Sequence, residues 1–279
     1  MRKAIVSEAL SDLAALMRMR RTVVLSGAGV STESGIPDYR GPDSPRRERA
    51  PISYQEFVGD AEARSRYWAR SSVGWPRFTA ARPNAGHQAL ARLEAAGYVT
   101  GVITQNVDGL HQAAGSDAVV ELHGALADVR CLRCGRRTDR TAYQRRLLQV
   151  NPGWPPEAAT LAPDGDAVLP DEATTSFHVP GCPRCGGILK PDVVFFGESV
   201  PRVQVDAAWD HFNDAEMLLV VGSSLAVYSG FRFVRRAVKE ARPVGIINLG
   251  PTRGDAHARL RLHGRTGTIL PTLAEMLDL

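Results

Sequence analysis

The chain has 279 residues, enough to bury a full core, so one large domain with a smaller appendage is the expected plan. With 44% hydrophobic residues, 23% charged residues and a net charge of only +4, it has the make-up of a soluble globular protein. It lacks the dense basic stripe of a nucleic-acid binder, so direct nucleic-acid binding is not expected. No apolar run reaches the roughly 18 residues of a membrane span, and no membrane association is expected. The opening MRKAIVSEAL lacks a signal-peptide core, and Glu8 and Asp12 argue against an organellar presequence, so a cytoplasmic protein is expected.

Residues 7–20 read as an amphipathic helix, with Leu10, Leu13, Leu16 and Met17 at helical spacing. Thr22 to Ser26 reads as a short buried strand that runs into GAGVSTESGIPDYRG, Gly27 to Gly41. Gly27 and Gly29 give G-x-G, but the third glycine of a dinucleotide fingerprint falls at Thr32, and no Walker lysine follows. A phosphate turn and a plain strand-to-helix turn both fit. Ser31 and Thr32 offer hydroxyls to a phosphate or ribose, and Asp38 and Arg40 supply one charge of each sign. Residues 41–85 are irregular, with Pro42, Pro45, Pro51, Pro76 and Pro83, an arginine cluster at Arg46, Arg47 and Arg49, and one helix near 60–70. Such a stretch suggests a loop or small helical module over a site.

The regular pattern resumes with a helix over 87–96 and a strand over 99–104. That strand ends in TQNVDGLH, which places Gln105, Asn106, Val107 and Asp108 where parallel sheets collect ligands. The plain alternative is a polar turn with Asp108 capping the short helix 109–114. A strand over 119–122 leads to ELHG; His123 suits a general base at neutral pH, or it packs structurally. Later come a strand over 217–221, the small-residue turn GSSLAVYSG, a helix over 230–241, a strand over 244–248 ending in NLG, and a closing helix over 270–279. Strands alternating with helices imply an α/β fold with a doubly wound, mostly parallel, Rossmann-like sheet, formed by 1–130 and 190–279.

Residues 131–189 interrupt this rhythm and read as an inserted small domain. Cys131-x-x-Cys134 and Cys182-x-x-Cys185 use all four cysteines of the chain. They match a tetrahedral four-thiolate zinc site, with paired redox thiols as the alternative. Four thiolates leave no open position, so one structural Zn2+ is expected. Arg130, Arg133, Arg136, Arg137 and Arg140 around the first pair form a solvated basic face or meet an acidic partner.

The ordered set GAGVSTESGIPDYRG, TQNVDGLH, ELHG, CLRC, CPRC, PDVVFFGE, GSSLAVYS and NLG resembles the sirtuin family of NAD-dependent protein deacylases over roughly residues 20–270. RYWARSSVGWPRF and NLGPTRGD are most similar to its lipoamidase/ADP-ribosyltransferase-type branch and that branch's bacterial relatives. The resemblance implies an NAD-binding sheet domain and a zinc ribbon, with acylated lysine of a protein substrate entering between them. It implies Gly27, Ala28, Gly29 and Ser31 at the phosphates, and Ile36, Asp38, Tyr39 and Arg40 in a mobile loop over the nicotinamide end. Gln105, Asn106, Val107 and Asp108 would line the nicotinamide and ribose pocket, Gly222, Ser223, Ser224, Asn248, Leu249 and Gly250 the adenosine half, and Thr266 the adenine. Val193, Val194, Phe195, Phe196, Gly197 and Glu198 would pair with the substrate as an added strand, with Leu225 to Tyr228 opposite. His123 would be the base, and NAD would be consumed, giving free lysine, nicotinamide and an O-acyl-ADP-ribose.

Two departures stand out: Tyr39 replaces the usual phenylalanine, and Ser229 replaces a frequent proline. Tyr67 and Arg70 have the spacing of a clamp for acidic acyl groups, although the string around them fits the branch that lacks it. Protein mono-ADP-ribosylation is the alternative activity, and a non-catalytic NAD-sensing zinc-ribbon module is the alternative from another class.

Overall fold

The computed structural model of the chain describes residues 2–41, 51–154, 169, 174 and 176–279. Pro42, Pro45, Arg46, Arg47, Arg49 and the segment PPEAATLAPDGD lie outside the described residues. In chain order the helices are α1 (Arg2–Met19), α2 (Tyr54–Gly59), α3 (Ala61–Ala80), α4 (Ala85–Ala95), α5 (Leu110–Ala113), α6 (Arg140–Val150), α7 (Arg202–Asn213), α8 (Tyr228–Lys239) and α9 (Thr266–Met276). The strands are β1 (Thr22–Ser26), β2 (Val99–Thr104), β3 (Val119–Glu121), β4 (Gly124–Cys131), β5 (Arg137–Asp139), β6 (Leu189–Val193), β7 (Met217–Val221), β8 (Val244–Asn248) and β9 (Leu260–His263).

The chain divides into two compact units, Met1–Pro45 with Arg82–Leu122 and Val200–Leu279, and Arg46–Ala81 with His123–Ser199. The first unit is built on a six-stranded sheet in the order β3-β2-β1-β7-β8-β9, every neighbouring pair parallel. Parallel strands need crossover helices, which cover both faces and bury the strands completely. In β1, Val24 faces Leu13, Leu90 and Leu273, while Val23 and Leu25 face Phe212, Phe233 and Val234. This two-sided burial is why the strands read as short apolar runs and not as alternating ones. The winding reverses between β1 and β7, and in open α/β sheets the crevice for a ligand lies at that reversal. The edge strand β9, with two exposed positions in LRLH, was not anticipated from the sequence.

The second unit holds a three-stranded antiparallel sheet, β5-β4-β6. Because β4 begins at Gly124 and β6 runs to Val193, this sheet extends past both ends of the cysteine segment 131–189. Its core is aromatic: Phe57, Tyr67, Trp68, Tyr143, Phe177 and Phe195. The helix expected near 60–70 is α3, which runs on to Ala80 through Pro76. Proline removes the N–H that would bond the carbonyl four residues earlier. That carbonyl, on Ser72, instead accepts the Gln144 side chain at 2.7 Å, so α6 satisfies the group that Pro76 leaves open.

Candidate functional site

In the first unit the strand-end turns interlock. Gly27 N–H donates to Val221 O at 3.0 Å and Gly29 N–H to Gly222 O at 2.8 Å. A Cβ at Gly29 would lie 2.9 Å from Gly222 O, and one at Gly27 would lie 2.8 Å from Ser223 Cβ. Gly222 itself has φ +60 and would place a Cβ 2.5 Å from Val30 N. The G-x-G pair is therefore required first by the backbone of the turn after β7. Two single helical turns, Ala28–Val30 and Thr32–Ser34, follow and carry Ser31 between them.

The turn after β2 reaches into this pair. Asn106 Nδ2 donates to Gly27 O at 3.2 Å and to Ser31 Oγ at 3.1 Å, and Ser31 Oγ donates to Asp108 Oδ2 at 2.7 Å. Gln105 Nε2 donates to Ser26 O at 3.1 Å and to Ser223 Oγ at 2.9 Å. A Cβ at Gly230 would lie 2.5 Å from Gln105 Oε1, so this amide would have to shift for any side chain at the start of α8. Asp108 also caps α5 by accepting from Leu110 N–H at 3.0 Å. Burial raises its carboxyl above the usual range, and the Ser31 hydroxyl opposes that shift. One carboxylate thus satisfies the first N–H of α5, from the position before its N-cap Gly109, and holds Ser31. Val107 lies half-buried in the same turn.

The remaining first-unit candidates flank this centre. Gly222, Ser223, Ser224 and Leu225 form the turn after β7; Leu225 has φ +57, is 1% exposed, and its N–H donates to Ser223 Oγ at 3.2 Å. Asn248 Nδ2 donates to Gly250 O at 3.1 Å across Leu249, closing the turn after β8. Thr266 is buried and its hydroxyl donates to Gly29 O at 3.4 Å. Ile36 is buried, Asp38 Oδ1 accepts from Gly41 N–H at 2.7 Å, Tyr39 is half-buried and Arg40 is exposed.

In the second unit His123 occupies the turn before β4, half-buried, and its carbonyl accepts Val194 N–H at 2.8 Å. The candidate substrate strand 193–198 is held from several sides. Tyr54 N–H donates to Phe196 O at 2.9 Å, Gln55 Nε2 to Gly197 O at 3.2 Å, and Phe195 N–H to Glu198 Oε2 at 2.9 Å. Lys190, 4% exposed, lies beneath it. Its ammonium donates to Pro191 O at 3.1 Å and to Val193 O, pairs with Glu198 Oε2 at 3.1 Å, and sits 4.5 Å from the Phe195 ring centre. Burial lowers its pKa and the Glu198 carboxylate opposes that. Phe196 is the exposed aromatic of the strand, at 43%. Tyr67 stacks edge-on with Phe57 and Trp68, both at 5.4 Å, and lies 5.3 Å from Phe195; Arg70 Nη2 donates to Leu169 O at 3.5 Å.

The four cysteine sulfurs all lie within 4.8 Å of one another. Against the burial that raises it, the N–H groups of Cys134 and Arg133 hold the Cys131 thiol down to about 6. Cys185, although the Gly187 N–H acts to lower it, is pushed up to about 11 by burial and the neighbouring sulfurs. Four sulfurs this close repel as thiolates unless a cation joins them, and an all-thiolate tetrahedral set suits zinc. Gly187 completes the fit, since a Cβ there would meet Cys131 Sγ at 3.0 Å and Cys185 Sγ at 3.3 Å. Zinc fits these residues as a closed, structural ion.

Reading by sequence passed over Ser26, Asn84, His87, Thr104 and Lys190. Asn84 caps α4 through Gly86 N–H at 2.9 Å and holds the first turn through Val30 O at 2.7 Å. Its signal was an N-cap residue three before His87. The signal for Lys190 was a lysine inside the apolar run ILKPDVVFF, in a chain with three lysines.

The sequence pattern of the Sir2 family matches residues 27–229. The chain is 53% identical over 261 residues to the NAD-dependent protein deacetylase of Xanthomonas campestris pv. campestris (strain 8004), covering 94% of this chain and 89% of that protein. It is 50% identical over 257 residues to the mitochondrial NAD-dependent protein lipoamidase sirtuin-4 of Bos taurus, covering 91% and 82%. A solved structure of Sir2 with a p53 peptide and NAD+ superposes with a TM-score of 0.77 at 31% identity, covering 95% of this chain and 96% of that one. The chain belongs to the Sir2 family, the sirtuins.

Proposed function

We propose that this chain is an NAD-dependent protein deacylase that removes acyl groups from lysine side chains of protein substrates, giving free lysine, nicotinamide and an O-acyl-ADP-ribose. The observation that carries the reading is 53% identity, over 94% of the chain, to a protein deacetylase that depends on NAD. The interlocked turns of the first unit support it, because they gather backbone N–H groups, hydroxyls and amides at the reversal point of a parallel sheet.

NAD supplies an electrophilic ribose carbon and a leaving nicotinamide. The chain's own groups bind, orient and move protons. Gly27, Ala28, Gly29 and Ser31 hold the pyrophosphate, with Gly222, Ser223, Ser224, Asn248, Leu249, Gly250 and Thr266 on the adenosine half. Gln105, Asn106, Val107 and Asp108 line the nicotinamide and ribose end, where fixed dipoles favour the positive charge that develops on the sugar. Ile36, Asp38, Tyr39 and Arg40 exclude water there. Val193, Val194, Phe195, Phe196, Gly197 and Glu198 receive the substrate as an added strand. Leu225 faces the substrate. His123 takes a proton from the ribose hydroxyl as general base. Cys131, Cys134, Cys182 and Cys185 hold one structural zinc ion. The 50% identity to a lipoamidase favours testing long and lipoyl acyl chains beside acetyl.

The test is mass spectrometry of purified protein with NAD and a panel of acetyl, long-chain, lipoyl and succinyl lysine peptides. Nicotinamide and O-acyl-ADP-ribose are expected in equal amounts. ADP-ribose attached to protein without loss of acyl groups would favour the transferase alternative, and NAD binding without nicotinamide release would favour the sensing module. His123→Ala should lower turnover by about 10²-fold or more while NAD affinity stays within about tenfold.

A further inference from the structure

Beneath the candidate cofactor turns lie two histidines that no step above uses. His87 on α4 is 0% exposed and His111 on α5 is 1% exposed. Their ring centres are 5.0 Å apart at an interplanar angle of 61°. His87 Nε2 and His111 Nδ1 are buried and have no hydrogen-bond partner among the described residues. A buried polar atom left without a partner costs about 1–3 kcal/mol, so two on adjacent rings need a common explanation.

The remaining nitrogens fix the His87 tautomer and tie that of His111 to the Ser26 hydroxyl. His87 Nδ1 accepts the Asn84 backbone N–H at 3.4 Å, so a neutral His87 carries its hydrogen on Nε2. His111 Nε2 lies 2.8 Å from Ser26 Oγ, and Ser26 Oγ donates to Thr104 Oγ1 at 2.8 Å. The two hydroxyls can bond in either sense; with the one hydrogen of Ser26 given to Thr104, Ser26 accepts from His111 Nε2–H. His111 Nδ1 then carries a lone pair. The two orphans are then a donor and an acceptor on rings whose centres lie 5.0 Å apart, and one water between them would satisfy both. Burial favours the neutral rings, holding His87 down to about 4 and His111, with the neighbouring imidazole adding to the effect, down to about 3.

We propose that His87 and His111 are positioning residues for the cofactor site: a neutral, tautomer-locked pair in which His87 Nε2–H donates towards His111 Nδ1 through one water. The chain continues from His111 through Ser26 to Thr104, whose Oγ1 accepts the Asn106 backbone N–H at 3.1 Å. Asn106 in turn holds Ser31 and Gly27. At the other end Asn84, which feeds His87, grips Val30 O at 2.7 Å and Ser34 Oγ at 2.9 Å. The relay therefore clamps the phosphate turn from both of its ends, and the two histidines act through Asn84 and Asn106. Its consequence for catalysis rests on the cofactor reading given above.

The first test needs no activity. Long-range 1H–15N spectra of the full-length protein with 15N-labelled histidine, at neutral pH, should show two buried rings, both neutral and both in the Nε2–H form. An Nδ1–H tautomer or a charged ring at either position overturns the proposal. The second test uses two replacements at one position. In His111→Gln the amide reaches the Nε2 position and can still donate to Ser26; in His111→Asn it reaches only the Nδ1 position. NAD KM should stay within about threefold in His111→Gln and rise about tenfold or more in His111→Asn, with peptide KM unchanged in both. Equal losses in the two variants, or a matching shift in peptide KM, would reduce the pair to packing. A wild-type protein that releases no nicotinamide would sink the deacylase reading and leave the spectra to decide the pair.

Discussion

The two units solve the same problem, holding a polar site rigid, with different materials. The first unit uses close backbone contacts and short neutral side chains: glycines 27, 29 and 222 pack main chain on main chain, and Ser26, Ser31, Thr104, Gln105 and Asn106 tie the turns together. The second unit uses aromatic rings, buried cations and thiols. Arg140 is 1% exposed, lies 5.2 Å from the Trp68 ring centre and 4.8 Å from that of Trp75, and bonds Gln144 at 2.6 Å. Lys190 is buried under the candidate substrate strand, and four sulfurs close the far end of the small sheet. The first scaffold is complete from the chain alone. The second depends on charges that must be matched, some of them by an ion.

The largest break in the comparison should come from zinc. Chelation, or Cys131→Ser, is expected to unfold or loosen the second unit while the parallel sheet survives, because structural zinc contributes folding energy directly. Trp68, Trp75 and Trp154 belong to the second unit and Trp209 to the first, so fluorescence reports mainly the second. Hydrogen exchange in β1 and β7 reports the first. Loss of both together, or an intact zinc-free protein with full activity, would contradict the contrast.

A smaller break tests the matched charges. Lys190→Met leaves Glu198 without its cation and frees Val193 O, and breaking a buried pair from one side costs about 3–5 kcal/mol. Glu198 is partly exposed, so the lower end is expected. Glu198→Gln added to Lys190→Met should recover at least half of the loss. Urea denaturation of the single and double variants measures this, and strictly additive losses would show that the pair is not coupled. Peptide KM should rise with NAD KM unchanged.

The first unit has its own charge dependence, with the opposite origin, since burial favours the neutral forms of His87 and His111. An unfolded histidine titrates near 6.5, whereas His87 and His111 are held down to about 4 and about 3 in the fold. Below pH 6.5 the unfolded chain binds protons that the folded chain refuses. Their contribution is therefore complete above pH 6.5 and is lost as the pH falls towards the folded values. Each fully mismatched proton gives a slope of about 1.4 kcal/mol per pH unit. Asp108, raised by burial, works in the reverse sense towards the acid end of this window. His111→Gln should lower the slope between pH 6 and 5, as read from urea midpoints; an unchanged slope would mean that His111 is charged in the fold or does not titrate in the unfolded chain.

How much of this was legible in the sequence follows the same division. Strands β1, β2, β7 and β8 were readable because two-sided burial leaves a bare apolar run. The cysteine pairs were readable because metal ligation imposes a spacing. Strand β9 was not, since half of an edge strand faces water and its LRLH carries no apolar run. Helix α3 was cut short because Pro76 reads as a stop, and nothing local shows that Gln144, 68 positions later, satisfies Ser72 O. The histidine relay was hidden for the same reason: His111 finds Ser26 and His87 only through the winding of the sheet.

The smallest effects separate glycines that look alike in the sequence. In Gly29→Ala the new methyl would sit 2.9 Å from Gly222 O and 3.0 Å from Gly222 Cα, backbone atoms that cannot swing away. Overpacking of this kind costs about 1–3 kcal/mol, and it displaces the turn that carries Ser31, so NAD KM should rise as well. Gly59, at the end of α2 in the second unit, has no atom within 4 Å of the same methyl and no positive φ. Gly59→Ala should therefore raise stability by about 0.4–1 kcal/mol through the unfolded chain, with no kinetic change. Thermal melts and NAD titrations of both variants decide it. If Gly29→Ala were as mild as Gly59→Ala, the turns after β1 and β7 would not be packed main chain on main chain, and the rigidity assigned to the first unit would need another source.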